Sequence, residues 1–201
     1  MSAPDRTMAA RIDELATEHI IITPYDPAWP IRYASEQERL RLVLPGDLCT
    51  AIDHIGSTAV PGLSAKPVID IQVEVTDLER VRAEVVPVMR GLGYEFIWRP
   101  TMGERKPFYA WFIGRDPGGH RAVHVHMVEP DAATAERLLF RDMLRANRAA
   151  AMHYDTLKQG LAAAYPNDRE TYTRGKEPFI ASVLDAARRT HRDAWPFLTW
   201  P

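Results

Sequence analysis

The segment Val68-Ile69-Asp70-Ile71-Gln72-Val73-Glu74-Val75 alternates apolar and polar residues from Ile69 onward. Successive side chains of a strand point to opposite faces, so Ile69, Ile71, Val73 and Val75 share one face and Asp70, Gln72 and Glu74 the other. Wound as a helix, the same residues would scatter around the axis and bury nothing in common. This pattern therefore commits the chain to a sheet with a covered apolar face, and the rest of the sequence must supply the cover.

Several other segments read as strands. They are residues 19–23, closed by Pro24-Tyr25-Asp26-Pro27, residues 51–55, residues 94–98, and a hairpin of 108–115 with 121–128 around Asp116-Pro117-Gly118-Gly119. The hairpin excludes an all-parallel sheet. Helical patterning covers residues 29–44, where Tyr33, Gln37, Leu40 and Leu44 form one face, with Pro27 or Pro30 in the first turn. Asp77 is placed to cap a helix running toward Gly91, kinked at Pro87. From Asp131 the pattern is helical at 131–149, 151–165 and 168–190. The expected class is α/β (α+β): a mixed sheet packed with helices, followed by a helical C-terminal third. Residues 1–17 read as a mobile start with a short helix, 18–130 as the sheet core, and 131–201 as a helical region with an aromatic tail at 195–201. All of it is expected to form one domain.

Composition limits the function. The 201 residues carry a net charge of −2, which argues against bulk electrostatic binding of nucleic acid. No apolar run approaches the roughly 20 residues of a membrane span, and the start MSAPDRTMAARIDELATEH lacks the apolar stretch of a secretory signal. Cys49 is the sole cysteine, so no internal disulfide and no cysteine-based metal cage can form. The expectation is a cytoplasmic chain.

Chemistry is most legible from His54 to Glu74. Gly56 permits close approach of the backbone to a ligand, and Ser57 and Thr58 offer hydroxyls at the expected start of a helical turn, where free N–H groups can seat phosphate. Lys66 adds a mobile positive charge. The spacing is not that of a Walker loop, and a plain turn is the competing reading. Asp70 then presents a carboxylate, a hard oxygen ligand suited to magnesium. Further along, His124 and His126 alternate with Val123, Val125 and Met127 and share one face of their strand. Imidazole prefers zinc, manganese or other transition ions to magnesium, and it also serves as a general base. The competing reading is two histidines hydrogen-bonded on a sheet. Further pocket candidates are His54, Glu74, Tyr109 and Trp111, the loop residues Arg99, Arg105 and Lys106, and Arg141 and Lys176 on the C-terminal helices.

The run His54-Ile55-Gly56-Ser57-Thr58-Ala59-Val60-Pro61-Gly62-Leu63-Ser64-Ala65-Lys66-Pro67-Val68-Ile69-Asp70-Ile71 resembles the GrpB family, and that resemblance implies membership of the DNA polymerase beta-type nucleotidyltransferase superfamily, of which the family is a branch. Tyr25 to Pro30, His124-Val125-His126, Leu138 to Asp142 and Lys176 to Ile180 extend the resemblance over residues 18–187. It implies a nucleotidyltransferase-like fold. It further implies a Gly56-Ser57 loop that holds nucleotide phosphates and Asp70 as the first metal carboxylate. Gln72 stands where the superfamily has a second aspartate, and His124 or His126 where it has a third carboxylate. Gln72 can still ligate through its carboxamide oxygen but brings no charge.

The implied activity is transfer of a nucleotidyl group from ATP or another NTP, with Mg2+, Mn2+ or Zn2+, to a small-molecule or protein acceptor. Asp70 and His126 would be catalytic. Gly56, Ser57, Thr58, Lys66 and Arg105 would bind phosphate, and Asp70, Gln72, His124 and His126 would bind metal. Two alternatives stand beside it: a catalytically inactive nucleotide-binding or regulatory module, and an ATP-dependent ligase acting through an acyl-adenylate. Neither a membrane nor nucleic acid is an expected partner.

Overall fold

The computed structural model describes residues 19–99 and 109–190. The expected N-terminal helix, the loop cations Arg105 and Lys106, the Arg99 side chain and the aromatic tail lie outside what is described.

Five strands form one mixed sheet in the order β1-β2-β5-β4-β3: β1 (Cys49–Ile55), β2 (Ile69–Val75), β3 (Glu95–Arg99), β4 (Tyr109–Arg115) and β5 (Arg121–Val128). Only the β2–β5 pair is parallel; β1–β2, β5–β4 and β4–β3 are antiparallel. The alternation along β2 is obeyed, with Ile69, Ile71, Val73 and Val75 almost fully buried on one face. There they meet Val125, Met127, Ala110 and Phe112 from the neighbouring strands.

That face is covered by α1 (Trp29–Val43) and by α2, which runs over residues 78–91. Pro30 occupies the first turn of α1. Tyr33 and Gln37 anchor that helix by donating to the Ile52 carbonyl, each at 2.9 Å. Asp77 caps α2 by accepting from the Glu79 and Arg80 amides. The middle of α2, Val81–Val85, is π-helical, and Val86 donates back to Val81. Pro87 has no N–H to offer Ala83, so widening the ladder just before it is the local answer to the expected kink.

The opposite face carries Asp70, Gln72 and Glu74 with His124 and His126. The C-terminal helices α3 (Ala132–Ala146), α4 (Arg148–Ala164), α5 (Arg169–Arg174) and α6 (Glu177–Thr190) stand over it. Asp131 and Thr134 form a reciprocal capping box at the start of α3. Two sequence expectations are corrected. Residues 19–23 form no sheet strand; Thr23 makes a single bridge to Ala65, because this short apolar run finds no partner edge. The stretch expected as one helix over 168–190 is two, broken between Arg174 and Glu177 with Gly175 capping α5.

Candidate functional site

The register of the parallel pair places Asp70 beside His124 and Gln72 beside His126. His124 Nδ1 lies 3.0 Å from Asp70 Oδ1, and His126 Nε2 lies 3.7 Å from the same oxygen. One donor atom from each of the three residues falls within 4.8 Å of the others. Burial pushes the Asp70 carboxyl up, but the His124 hydrogen bond and the nearby His126 ring, reinforced whenever those rings take up a proton, outweigh it and hold Asp70 below the usual carboxylate range. Burial drives His124 the other way, down to about 4, against the pull of Asp70. The pair is thus an ionised carboxylate beside a neutral imidazole, whose Nδ1 donates to Asp70 in one tautomer and turns a lone pair to a cation in the other. The donor set suits a divalent cation: two nitrogens, one charged oxygen, and ring positions fixed by strand register rather than by a loop.

Gly56 ends β1 with φ of 71° and ψ of −173°, a conformation open essentially to glycine. A Cβ there would lie 2.7 Å from Asp70 Oδ2. Ser57–Ala59 follow as one 3₁₀ turn. The Thr58 hydroxyl points inward, 3.0 Å from His54 Nε2 and 3.3 Å from the Val68 carbonyl it donates to. The helical third clamps this loop from above. Arg145 donates to the Ala59 carbonyl at 2.9 Å, Asp155 accepts from both the amide and the hydroxyl of Ser64, and Lys158 donates to the Ser64 carbonyl.

Two cavities meet at Asp70. The larger, about 540 Å³, lies between the sheet and α3, α4 and α6. Its walls include Tyr109, Trp111, Phe140, Leu144 and Ile180, with Arg137 and Arg141 among its charged residues. The smaller, about 150 Å³, is bounded by Gly56, Ser57 and Thr58 and by four cations: Lys66, Lys158, Arg169 and Lys176. Burial pushes Lys66 down to about 7, helped by repulsion from Arg169 and Lys176. Burial likewise pushes Lys158 and Lys176 down to about 8. Lys66 and Lys176 both lie against the Tyr172 ring, 5.3 and 4.6 Å from its centre. Four basic side chains line one small chamber, with Asp70 the one carboxylate among the described residues of its wall, so the chamber carries a surplus of positive charge.

The structure brings together Gly56, Ser57, Thr58, Lys66, Asp70, His124, His126 and Lys176 around the smaller cavity or its junction with the larger one, where Tyr109 and Arg141 also lie. Other sequence candidates stand apart. His54 points to the α1 side, stacked 4.6 Å from Tyr33, where burial pushes it down to about 4 as a neutral packed ring. Gln72 is fully buried and engaged by other partners: Arg137 donates to its oxygen at 3.1 Å, while its nitrogen donates to the Thr134 carbonyl at 3.3 Å. Glu74 accepts from Gln72 at 3.4 Å and lines neither cavity. Sequence reasoning missed Arg137, Lys158 and Arg169. Each sits on a helix of mixed charge, and only the packing of α3, α4 and α5 over the sheet turns them inward. For Lys158, the one local signal is a lysine at helical spacing from Tyr154 on an otherwise alanine-rich helix.

Residues 19–186 match the family described as GrpB protein. A UPF0157 protein of Pseudomonas aeruginosa is 42% identical over 92% of this chain and 74% of its own length. The crystal structure of conserved protein GrpB from Enterococcus faecalis superposes with a TM-score of 0.72 at 33% identity, covering 85% of this chain and 99% of that one. A longer protein of Mycolicibacterium paratuberculosis, named dephospho-CoA kinase, is 29% identical over 90% of this chain and 47% of its own length. A family match across most of the chain and a shared fold at this level of identity lead to one conclusion: the chain belongs to the GrpB family.

Proposed function

We propose that the protein is a nucleotidyltransferase-type enzyme that binds a nucleoside triphosphate, ATP first among them. It would pass the nucleotidyl group to, or activate, a small-molecule or protein acceptor. The observation that carries this reading is the shared wall of two compartments. The four-cation chamber and the Asp70–His124–His126 set meet at Gly56-Ser57, so a phosphate chain in the chamber lies against the donor set. Lys66, Lys158, Arg169 and Lys176 would hold the phosphates, and Gly56 lets their oxygens approach the backbone. Tyr109 and Trp111 give the larger cavity an aromatic wall for a base or for an apolar acceptor. Asp70 with His124 and His126 would hold a divalent cation, which supplies charge neutralisation at the reacting phosphate.

A second reading has its own observation. Arg137 holds Gln72, so the position that would complete a two-metal site carries a guanidinium instead. That favours a nucleotide-binding module without turnover. The mycobacterial dephospho-CoA kinase, in which the segment similar to this chain makes up about half, is compatible with such a module.

One experiment separates the two. Thermal shift with ATP and other NTPs, each with and without Mn2+, is paired with a pyrophosphate-release assay on the wild type and Asp70→Asn. A transferase shows nucleotide-dependent stabilisation and metal-dependent release that Asp70→Asn abolishes. A module shows stabilisation without release across a panel of acceptors. If no nucleotide shifts Tm at millimolar concentration, both nucleotide readings fail.

A further inference from the structure

We propose that Asp70, His124 and His126 form a one-ion site that selects a borderline transition cation, of the Mn2+, Fe2+, Co2+ or Zn2+ class, over Mg2+. The proposal deepens the reading above, which needs a cation but does not choose among them. Four observations lead to it.

The donor set comes first. Two imidazole nitrogens and one carboxylate oxygen are poor company for Mg2+, which favours an all-oxygen octahedron, and good company for first-row transition ions. The spacing comes second. Donors bound at about 2.1 Å lie roughly 3.0–3.4 Å apart in octahedral or tetrahedral geometry. The Asp70–His124 contact of 3.0 Å already has that value, and the Asp70–His126 contact of 3.7 Å is close to it.

Third is the environment of His124. Its side chain is 6% exposed and packs edge-on against Trp111, with ring centres 5.0 Å apart. Nδ1, the atom that would meet the cation, faces Asp70, while Nε2 is buried without a hydrogen-bond partner, so no donor at Nε2 locks the ring proton on Nδ1. A buried histidine with a purely structural role is normally tied at both nitrogens. This ring is instead positioned by packing and by one carboxylate, and it lines both cavities.

Fourth is the state of Gln72. A two-ion site would need a further donor one pleat along from Asp70. The Gln72 oxygen there accepts from the Arg137 guanidinium at 3.1 Å, so a second cation would meet a fixed positive charge. One ion therefore sits on three protein donors, and its remaining positions face the cavities. A phosphate oxygen from the four-cation chamber could take one of them.

The test uses the full chain stripped with a chelator and titrated separately with Zn2+, Mn2+, Co2+ and Mg2+. Calorimetry gives affinity and stoichiometry, and the visible absorption of Co2+ reports nitrogen ligation. Because His124 is buried, the variants are His126→Ala, with a 17% exposed side chain, and Asp70→Asn, a near-isosteric change. His153→Ala on the exposed face of α4 is the control. Circular dichroism confirms that each is folded.

The expected result is one transition ion per chain, bound at least about tenfold more tightly than Mg2+. Each ligand variant should lose about 10–100-fold in affinity, while His153→Ala loses nothing. Equal affinity for Mg2+, a stoichiometry of two, or binding indifferent to Asp70→Asn and His126→Ala would each overturn the proposal. None of these readouts involves a nucleotide. A protein that binds the ion but no NTP therefore sinks the proposed function alone.

Discussion

At the scale of a residue, Gly56 sets the geometry of the site. Its backbone sits at φ of 71° and ψ of −173°, and the space a side chain would need is taken by the Asp70 carboxylate. Gly56→Ala therefore meets two penalties at once: strained dihedrals, costing about 1–3 kcal/mol, and a contact that pushes Asp70 off His124. Urea unfolding should show the loss in the midpoint with an unchanged slope. Unchanged stability with intact ion binding would mean that the loop relaxes freely and that Gly56 is not what holds Asp70 in place. The same residue shows why the sequence could be read so far here. A glycine followed by hydroxyls and then by an alternating strand records a local constraint, and local constraints are written in adjacent letters.

At the scale of an element, α3 ties the helical third to the sheet through Arg137 and Thr134 at β2 and through Arg141 at β1. The Arg141 guanidinium donates to the His54 carbonyl at 3.0 Å and to Asp53 at 3.3 Å on β1, and it is braced by Asp142 at 2.7 Å. Arg141→Leu keeps much of the packing but leaves a β1 carbonyl and a carboxylate without their cation. A loss of about 2–3 kcal/mol is expected. Hydrogen exchange should then show α3 opening more readily than β2 and β5. Uniform exchange across the chain would show that Arg141 does not carry the joint.

The strands and helices were legible wherever an element buries one face by its own periodicity. That holds for β2 from its alternation, for the hairpin from Asp116 to Gly119, and for α1 from Tyr33, Gln37 and Leu40. Legibility stopped where neighbours decide. Residues 19–23 look like a strand but find no edge, and the helix break at Gly175 is set by packing as well as by composition. The site divides in the same way. Asp70, His124 and His126 could be assigned to one face each from alternation alone, yet their meeting depends on the β2–β5 register. Lys158 and Arg169 face the chamber only because α4 and α5 fold back across about 100 residues of chain.

At the scale of the whole molecule, a chain of net charge −2 gathers four cations around one chamber, and this carries a pH signature. Lys66 is pushed down to about 7, and Lys158 and Lys176 to about 8, from an ordinary 10.5, in each case mainly by burial. Their folded values lie below their unfolded ones. The unfolded chain therefore binds more protons between about pH 7 and 10, and these groups make the ligand-free fold more stable as pH rises through that window.

A bound anion reverses the sign, because it favours the charged lysines and raises their pKa values. Sulfate is a clean probe, since it does not itself titrate in this range. Its binding near pH 8 should draw up to about two protons from the buffer per ion, read by calorimetry in two buffers of different ionisation enthalpy. Its affinity should fall steadily from about pH 7 to about pH 9 as the free lysines discharge. Lys66→Met should remove about half of the proton uptake while Arg169, charged throughout, keeps part of the affinity. Sulfate binding with no proton uptake, and with the same pH profile in Lys66→Met, would show that these buried lysines do not form the anion seat.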